Sequence, residues 1–580
     1  MTVYKKDLSK ICLFISALWI LLVGFFYYPK WNKPQTEATI SWDVSGYYFY
    51  LPAAFIYKDL KKQSFKDSVL KKYAPTTDGY QSYKYENGNY VMKYSAGMAV
   101  CYLPFFLAGH CIAKLSGYPA DGFSYPYQAA IGIGSLLVAL LGLFFLRKIL
   151  KRYFSPAITG LVLLLLVFGT NYLEYAAITN AMAHSYLFTI YALLIYGTIR
   201  FYDTPSLKRS LLIGLLVGLA TLIRPTEIIS ALIPACWGLA SFPDLKARIL
   251  FIRKYLLLCL AASIAAMLVV SIQLFYWKYV SGHWLVYSYQ DEGFNFRRPH
   301  VFNCLIRFRK GWLVYTPVMI FSLLGFIVLL FKNRKLFWVT ALFSFVFMYI
   351  AFSWSNWWYG GGLGQRTMVQ AYPILAFPMA AFFQAAWRKR LMFYLLLLPI
   401  LLFVYHNLWL HHQGHKGGLL DAENMTYAYW KKIVLKYDVP PETKKLLDTD
   451  EEFTGTPTDA ITLYTSKDSI KLNKQREYTP EIVVQAPTNK QWMRATATFS
   501  FSQKEWEVWK MTQMVFKIKR NEQVIKEKSI RLQRFMDENS PRTVSLDLKL
   551  LQPGDKITFF VWNPGSEKEV NIANIEVISF

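Results

Sequence analysis

Carboxylates and cations recur in the polar stretches between the long apolar runs of this chain. Asp43 is the one acid in "ISWDVSGYYFYLPAAF", and Lys93 directly precedes an apolar stretch that begins at Tyr94. Acids and cations gathered on one side of a membrane would suit a reaction in which a carboxylate takes a proton from an acceptor while cations hold an anionic lipid head group. The other candidate residues are Glu174, His184, Arg224, Glu227, Arg297, His300, Gln365 and Arg366.

Several polar residues also have a plainer interpretation. Glu86 and Asp291 are typical of solvated loop charges. His184 follows "TNAMA", where a polar cap or an interfacial residue is commoner than a catalyst. Three histidines within 411–415 resemble a metal-binding tract, but one such cluster in a linker is weak support. We expect neither a metal ion nor another cofactor.

The stretch "WSNWWYGGGLGQRTMVQAYPILAFP" (354–378) combines aromatics, a glycine run and a Gln-Arg pair that opens a helix. Glycines allow tight packing or a positive φ. An arginine at a helix amino terminus goes against the helix dipole, which already favours anions there. Arg366 therefore indicates that an anion is bound at this point. The alternative is an interfacial belt of Trp and Tyr with an arginine that reaches into the head groups.

Composition identifies the chain as a polytopic membrane protein. Of its 580 residues, 54% are hydrophobic and 17% are charged. Runs such as "ICLFISALWILLVGFFYY" reach the length of about 20 residues that a helix needs to cross a hydrocarbon core of roughly 30 Å. The net charge of +27 comes largely from Lys and Arg clusters between apolar runs, which orient membrane proteins. Nucleic acid is therefore not the expected partner.

The apolar runs predict about eleven spans. Basic clusters at alternate ends, from the first lysines to "RKR" at 388–390, place the amino terminus in the cytoplasm and everything after about residue 410 outside. That orientation decides how two ambiguous apolar runs are interpreted. Residues 94–115 are interfacial or re-entrant, and the run containing "RPTE" (224–227) is two short helices around a polar break beside a cavity. The predicted spans are 11–28, 125–147, 156–175, 183–201, 209–223, 226–241, 255–279, 311–331, 335–353, 367–387 and 391–409.

After residue 410 the composition changes. Stretches such as "WMRATATFSF" and "DKITFFVW" alternate with period 2, and "NPGSEK" and "QPGDK" are typical turns. This pattern predicts an antiparallel β-sandwich. We expect a membrane domain at 1–409, with a first outer loop and interfacial helices at 29–124, then a linker at 410–450 and a sandwich at 451–580.

The acid just outside the first span, the long loop and the lysine before "YSAGMAVCYLPFF" together resemble the GT-C superfamily of membrane glycosyltransferases. The pattern is most similar to the protein O-mannosyltransferase and aminoarabinose-transferase branch. The resemblance implies that Asp43 is the catalytic base, and that Lys93, with Arg366 and Arg224, holds the phosphate of a polyprenyl-phosphate sugar. It implies transfer on the outer face of the bacterial inner membrane to a glycan, glycolipid or protein. The Asp-Glu pair common in that branch is here Asp43-Val44.

Two other functions remain open. A glycolipid transporter or flippase would need no bond chemistry, but it should show related halves and broken helices near the bilayer midplane. The break at 224–227 is the one such feature in the sequence. A membrane-anchored glycan-binding scaffold would not need so many spans.

Overall fold

The computed structural model describes residues 7–76, 79, 81–537 and 540–580. Lys5 and Lys6, which contribute to the predicted orientation, lie outside the described residues. The chain forms two compact units, Met1–His415 and Lys416–Phe580. The boundary falls inside the segment that we expected to be a linker.

The first unit is almost entirely helical, apart from one antiparallel hairpin of strands β1 (Ser82–Lys84) and β2 (Tyr90–Met92). Its α-helices are α1 (Leu8–Leu22), α2 (Trp42–Tyr48), α3 (Tyr50–Phe55), α4 (Lys66–Tyr73), α5 (Gly97–Leu115), α6 (Tyr125–Leu150), α7 (Pro156–Gly169), α8 (Ala183–Asp203), α9 (Leu207–Ile223), α10 (Leu232–Cys236), α11 (Phe242–Lys254), α12 (Leu256–Ser281), α13 (Val301–Ile306), α14 (Trp312–Tyr315), α15 (Ile320–Lys332), α16 (Arg334–Phe352), α17 (Tyr372–Trp387) and α18 (Arg390–His412).

Within the described residues, seven helical stretches are long and apolar enough to cross a membrane. The chain is therefore a multi-pass membrane protein. Shorter apolar helices such as α7 add to these, so the count of about eleven spans stays a prediction. The seven stretches are Leu8–Asn32, Gly97–Leu115, Tyr125–Leu150, Leu256–Ser281, Arg334–Phe352, Arg366–Trp387 and Arg390–Gly417.

Three segments differ from the sequence-based expectation. Helix α5 qualifies as a membrane-crossing helix by length and composition, although we expected an interfacial or re-entrant segment there. The predicted span 226–241 contains only a 3-10 helix, Pro225–Ala231, and the five-residue α10. The basic cluster that follows this predicted span lies in helix α11 and not in a loop. The side chain of Ser241 caps the first turn of α11 by accepting the N–H of Asp244.

The polar break at "RPTE" is present. Helix α9 ends at Ile223, Arg224 adopts an extended conformation, and the 3-10 helix begins at Pro225, which lacks an N–H to continue an α-helix. The break lies against the first turn of α5, because a Cβ on Gly97 would come within 2.3 Å of the backbone nitrogen of Ile223. Close packing between these two backbones therefore requires glycine.

The second unit contains one α-helix, α19 (Tyr427–Ile433), and two antiparallel sheets. One sheet has the order β5-β10-β7-β8, and the other has β3-β11-β6-β9, with β4 also paired to β11. The two sheets share one apolar core that includes Phe499, Phe516 and Phe559. The strands are β3 (Ile461–Ser466), β4 (Ile470–Leu472), β5 (Ile482–Gln485), β6 (Trp492–Phe501), β7 (Gln513–Arg520), β8 (Gln523–Arg531), β9 (Arg542–Lys549), β10 (Lys556–Trp562) and β11 (Val570–Ser579).

The predicted fold class, a polytopic helical domain followed by a β-sandwich, is thus confirmed. Strand β6 coincides with "WMRATATFSF", and its residues alternate between buried and half-buried along the whole strand. That alternation is the pattern from which the sandwich was predicted.

Candidate active site

Asp43 lies in the first turn of α2, in the loop after the first long helix. The preceding residue, Trp42, has φ +48°, a left-handed conformation that is costly for a residue with a side chain. Its N–H is held by the carbonyl of Pro75 at 3.0 Å. The chain therefore turns sharply just before Asp43. The carboxylate lies at the amino-terminal end of α2, where the helix dipole favours a negative charge.

The carboxylate of Asp43 has two strong hydrogen-bond donors. The hydroxyl of Tyr94 donates to Oδ1 at 2.7 Å, and Nη2 of Arg366 donates to Oδ2 at 2.7 Å. Burial alone would raise the pKa of this carboxyl, but the guanidinium of Arg366, the Tyr94 hydroxyl and the nearby charge of Arg224 outweigh it. The net pKa of Asp43 is lowered, so the group is ionised at neutral pH.

The glycine-rich loop that carries Arg366 needs its glycines. Gly360, Gly362 and Gly364 have φ values of +67°, +126° and +61°, so positive φ, one of the two roles considered for this run, applies here. Nδ2 of Asn171 donates to the carbonyl of Leu363 at 3.1 Å, which ties the loop to the helical unit. These contacts fix the backbone from which Arg366 extends.

Gln365 and Arg366 open a 3-10 helix, Arg366–Ala371. Gln365 is fully buried and donates from Nε2 to the carbonyl of Trp357 at 3.0 Å, so it closes the loop and does not face Asp43. The anion that Arg366 contacts in the structure is the Asp43 carboxylate, and binding of the donor phosphate by Arg366 stays a prediction. Among the described residues, the buried Nε of Arg366 has no hydrogen-bond partner.

Lys93 follows strand β2 directly and is the neighbour of Tyr94. Its Nζ lies 2.9 Å from Oε1 of Glu292, which belongs to the loop after α12. The same ammonium lies 5.9 Å and 5.8 Å from the ring centroids of Tyr94 and Tyr289. The structure therefore brings Lys93 beside the site, because Tyr94 joins it to Asp43.

A chain of polar contacts inside the helical unit connects Arg224, His184 and Glu227. Nη2 of Arg224 lies 3.5 Å from Nε2 of His184, and Nδ1 of His184 lies 3.3 Å from Oε1 of Gln370. Nε2 of Gln370 donates to Oε1 of Glu227 at 2.5 Å, and Tyr191 donates to the other oxygen. His184 is fully buried, which is not the interfacial position that its sequence context favoured.

Gln370 was missed by the sequence analysis. It lies in the 3-10 helix Arg366–Ala371, and its partners His184 and Glu227 come from distant parts of the chain. No local spacing in the sequence indicated these contacts.

Glu174 lies in a separate pair. It is 2% exposed, and its Oε2 lies 2.7 Å from Nε2 of His415. His411 and His412 instead contact the carbonyl of Asn407 and the hydroxyl of Tyr27, so the three histidines face different partners. Among the described residues, no group of three or more His, Cys, Asp or Glu is placed to hold a metal ion.

Arg297 and His300 lie on the loop that also carries Glu292. Arg297 is exposed, and His300 donates its backbone N–H to the carbonyl of Phe352 at 2.7 Å. Neither side chain takes part in the contacts described above for Asp43. The structure thus groups Asp43, Arg366, Lys93 and Arg224 and leaves Glu174, Arg297 and His300 aside.

No family model and no curated protein matches the chain. Among solved structures, the Archaeoglobus fulgidus oligosaccharyltransferase in its apo form is similar, with 11% identity and a TM-score of 0.41 over 72% of this chain and 55% of that one. The arabinosyltransferase EmbB from Mycobacterium smegmatis has 11% identity and a TM-score of 0.35, over 98% of this chain and 64% of that one.

The chain spans less than two thirds of either matched structure. Both names are those of sugar-transferring enzymes, the class that the sequence resembles. With TM-scores below 0.5, the two likenesses do not decide the activity of this chain. The functional conclusion therefore has to come from the site.

Proposed function

We propose that the protein is an integral-membrane glycosyltransferase that moves a hexosyl or pentosyl group from a polyprenyl-phosphate donor to a glycan, glycolipid or protein acceptor. The observation that carries this proposal is the position of Asp43, an ionised carboxylate held between Tyr94 and Arg366 with Arg224 and Lys93 nearby. A base next to several cations fits a reaction that removes a proton from one partner and releases an anion from the other.

In the proposed step, the acceptor hydroxyl oxygen attacks the anomeric carbon of the sugar. The bond between that carbon and the phosphate oxygen breaks, and the hydroxyl proton passes to the Asp43 carboxylate. The polyprenyl phosphate leaves with the electron pair of the broken bond. A single displacement of this kind inverts the anomeric configuration.

The cations of the site would bind the phosphate as it leaves. The side chain of Arg366 is 17% exposed beside its bond to Asp43, so its planar guanidinium can contact both the carboxylate and the phosphate. When the phosphate attracts the positive charge of Arg366, that charge stabilises the Asp43 carboxylate less, and Asp43 becomes a stronger base. Donor binding would therefore prepare the base for the proton that it must accept.

The orientation is part of the proposal. The basic clusters between spans favour a cytoplasmic amino terminus, and they put the site and the sandwich on the periplasmic face of a bacterial inner membrane. A lipid-linked donor suits that face, because the membrane itself delivers it among its lipids. We retain 1–409, 410–450 and 451–580 as the functional division of the chain.

The test is Asp43→Asn, assayed for sugar transfer from a polyprenyl-phosphate sugar in proteoliposomes. The amide keeps the shape of the side chain but is not a base, so transfer should fall at least about 10²-fold while donor binding persists. Glu86→Gln is the matched control, because Glu86 is an exposed acid of the same outer loop. Near-normal transfer by Asp43→Asn would remove Asp43 from catalysis, whereas the absence of transfer by the natural chain would favour lipid transport without bond chemistry.

A further inference from the structure

Glu292 lies on a loop that is anchored beside the site. The backbone N–H of Ser355 donates to the carbonyl of Gly293 at 2.8 Å, and Gly293 N–H donates to the Ser355 hydroxyl at 3.1 Å. The hydroxyl of Tyr287 donates to the backbone carbonyl of Glu292 at 2.5 Å. Because Ser355 belongs to the segment that leads into the glycine-rich loop, these contacts tie Glu292 to the same framework as Arg366.

The Lys93 end of the ion pair is anchored as well. Strand β2 ends at Met92, whose N–H is held by the hydroxyl of Tyr276 at 2.9 Å, and the carbonyl of Lys93 accepts the Ser288 hydroxyl at 2.6 Å. The side chains of Lys93 and Glu292 are 21% and 35% exposed. The pair is thus held from both sides yet remains within reach of a ligand from outside.

We infer that Glu292 is a built-in competitor of the lipid phosphate for the Lys93 ammonium. The inference rests on the proposed function, in which Lys93 binds that phosphate. A carboxylate and a phosphate oxygen make the same kind of contact with an ammonium, which acts as a point charge. Glu292 therefore occupies the anion position of Lys93 whenever no phosphate is present.

The competition acts most on the product. A polyprenyl-phosphate sugar is a phosphodiester with one negative charge, whereas the polyprenyl phosphate that leaves is a monoester with a charge of about −1.5 to −2 at pH 7. Cations alone would hold the product more tightly than the donor. When Glu292 returns to Lys93, it reduces that difference and helps the product to leave.

The experiment measures binding of farnesyl phosphate, a soluble monoester probe, to the purified full chain in detergent by titration calorimetry at pH 7. Glu292→Gln should bind the probe about 5- to 20-fold more tightly than the natural chain. Asp291→Asn is the matched control, because it removes one exposed charge from the adjacent position and should change the affinity by less than about twofold.

A double-mutant cycle with Lys93→Ala locates the effect. If Glu292 acts through Lys93, the gain from Glu292→Gln disappears in the Lys93→Ala background. Equal changes for Glu292→Gln and Asp291→Asn, or a gain that persists without Lys93, would overturn the inference.

Failure of the inference and failure of the proposed function give different results. If Lys93→Ala weakens probe binding and Glu292→Gln changes nothing, the competitor role is wrong and the phosphate site stands. If probe binding does not depend on Lys93, the phosphate site itself is wrong and the inference falls with it. Thermal unfolding of each variant in detergent verifies that the chains compared are folded.

Discussion

The ring of Tyr94 lies directly over Gly46 in helix α2, one turn after Asp43. A Cβ on Gly46 would stand 2.5 Å from Cδ2 of that ring, which is closer than real Cβ atoms approach. The missing side chain is therefore what lets the Tyr94 hydroxyl reach Oδ1 of Asp43. A glycine that looks incidental in the sequence thus sets the hydrogen bond of the proposed catalytic base.

Gly46→Ala should displace the Tyr94 ring and weaken its hydrogen bond to Asp43. Because small misplacements of catalytic groups reduce rates strongly, we expect transfer to fall about 10-fold or more with the chain still folded. Gly197→Ala is the control, since a Cβ there meets its nearest neighbour at an ordinary 3.7 Å. Equal transfer rates in the two variants would contradict the role given to Gly46.

The pH dependence of transfer should depend on Tyr94. The hydroxyl of Tyr94 helps to lower the pKa of Asp43, so Tyr94→Phe raises that pKa. A base works in its ionised form, and the rate falls as the pH drops through its pKa. The acid limb of the pH profile of kcat should therefore move to higher pH in Tyr94→Phe. Tyr118→Phe, at an exposed tyrosine, should leave the limb in place.

Lys93→Ala and Arg366→Ala should each weaken binding of the polyprenyl-phosphate donor. Loss of one charge-assisted contact corresponds to about 1.5–3 kcal/mol, or about 10- to 150-fold in Kd. Lys93→Arg should retain part of the affinity, because a positive charge is what that position supplies. Lys84→Ala, at an exposed lysine of the same loop, is the control. Unchanged Kd values in both alanine variants would remove Lys93 and Arg366 from the phosphate site.

The carboxy-terminal sandwich should lie in the periplasm. Alkaline phosphatase fused after Phe580 should be active, because that enzyme matures only outside the cytoplasm, and a fusion after Lys332 should be inactive. Deletion of 450–580 should impair acceptor choice or folding more than donor binding. Strong signal from a cytoplasm-specific reporter after Phe580 would overturn the orientation.

The sequence was informative where one local pattern decides the structure. Period-2 alternation identified β6, β7, β9, β10 and β11. In the structure, β6 and β11 alternate most regularly between buried and more exposed residues, whereas the interior of β10 is buried throughout. The pattern missed β8, in which most residues are exposed or half-buried. The helix break at Arg224 could also be anticipated, since proline leaves few alternatives.

The candidate site could be predicted as a set of charges but not as a set of pairs. Asp43 and Arg366 each stand out in an apolar or glycine-rich context, yet their contact joins residues that are 323 positions apart. Such a contact depends on how the helices pack, which no local spacing encodes. The same holds for the pair of Lys93 with Glu292, which joins two loops that are distant in the sequence.

The separation between Asp43 and Arg366 has a consequence for how the protein is made. The proposed base emerges from the ribosome early, while its cation follows 323 residues later, after most of the apolar helices have been synthesised. A partly inserted chain thus has Asp43 without its partner and has no assembled site. Translation arrest before residue 366 should yield membrane-bound fragments that cannot transfer sugar, so the order of biosynthesis itself prevents premature activity.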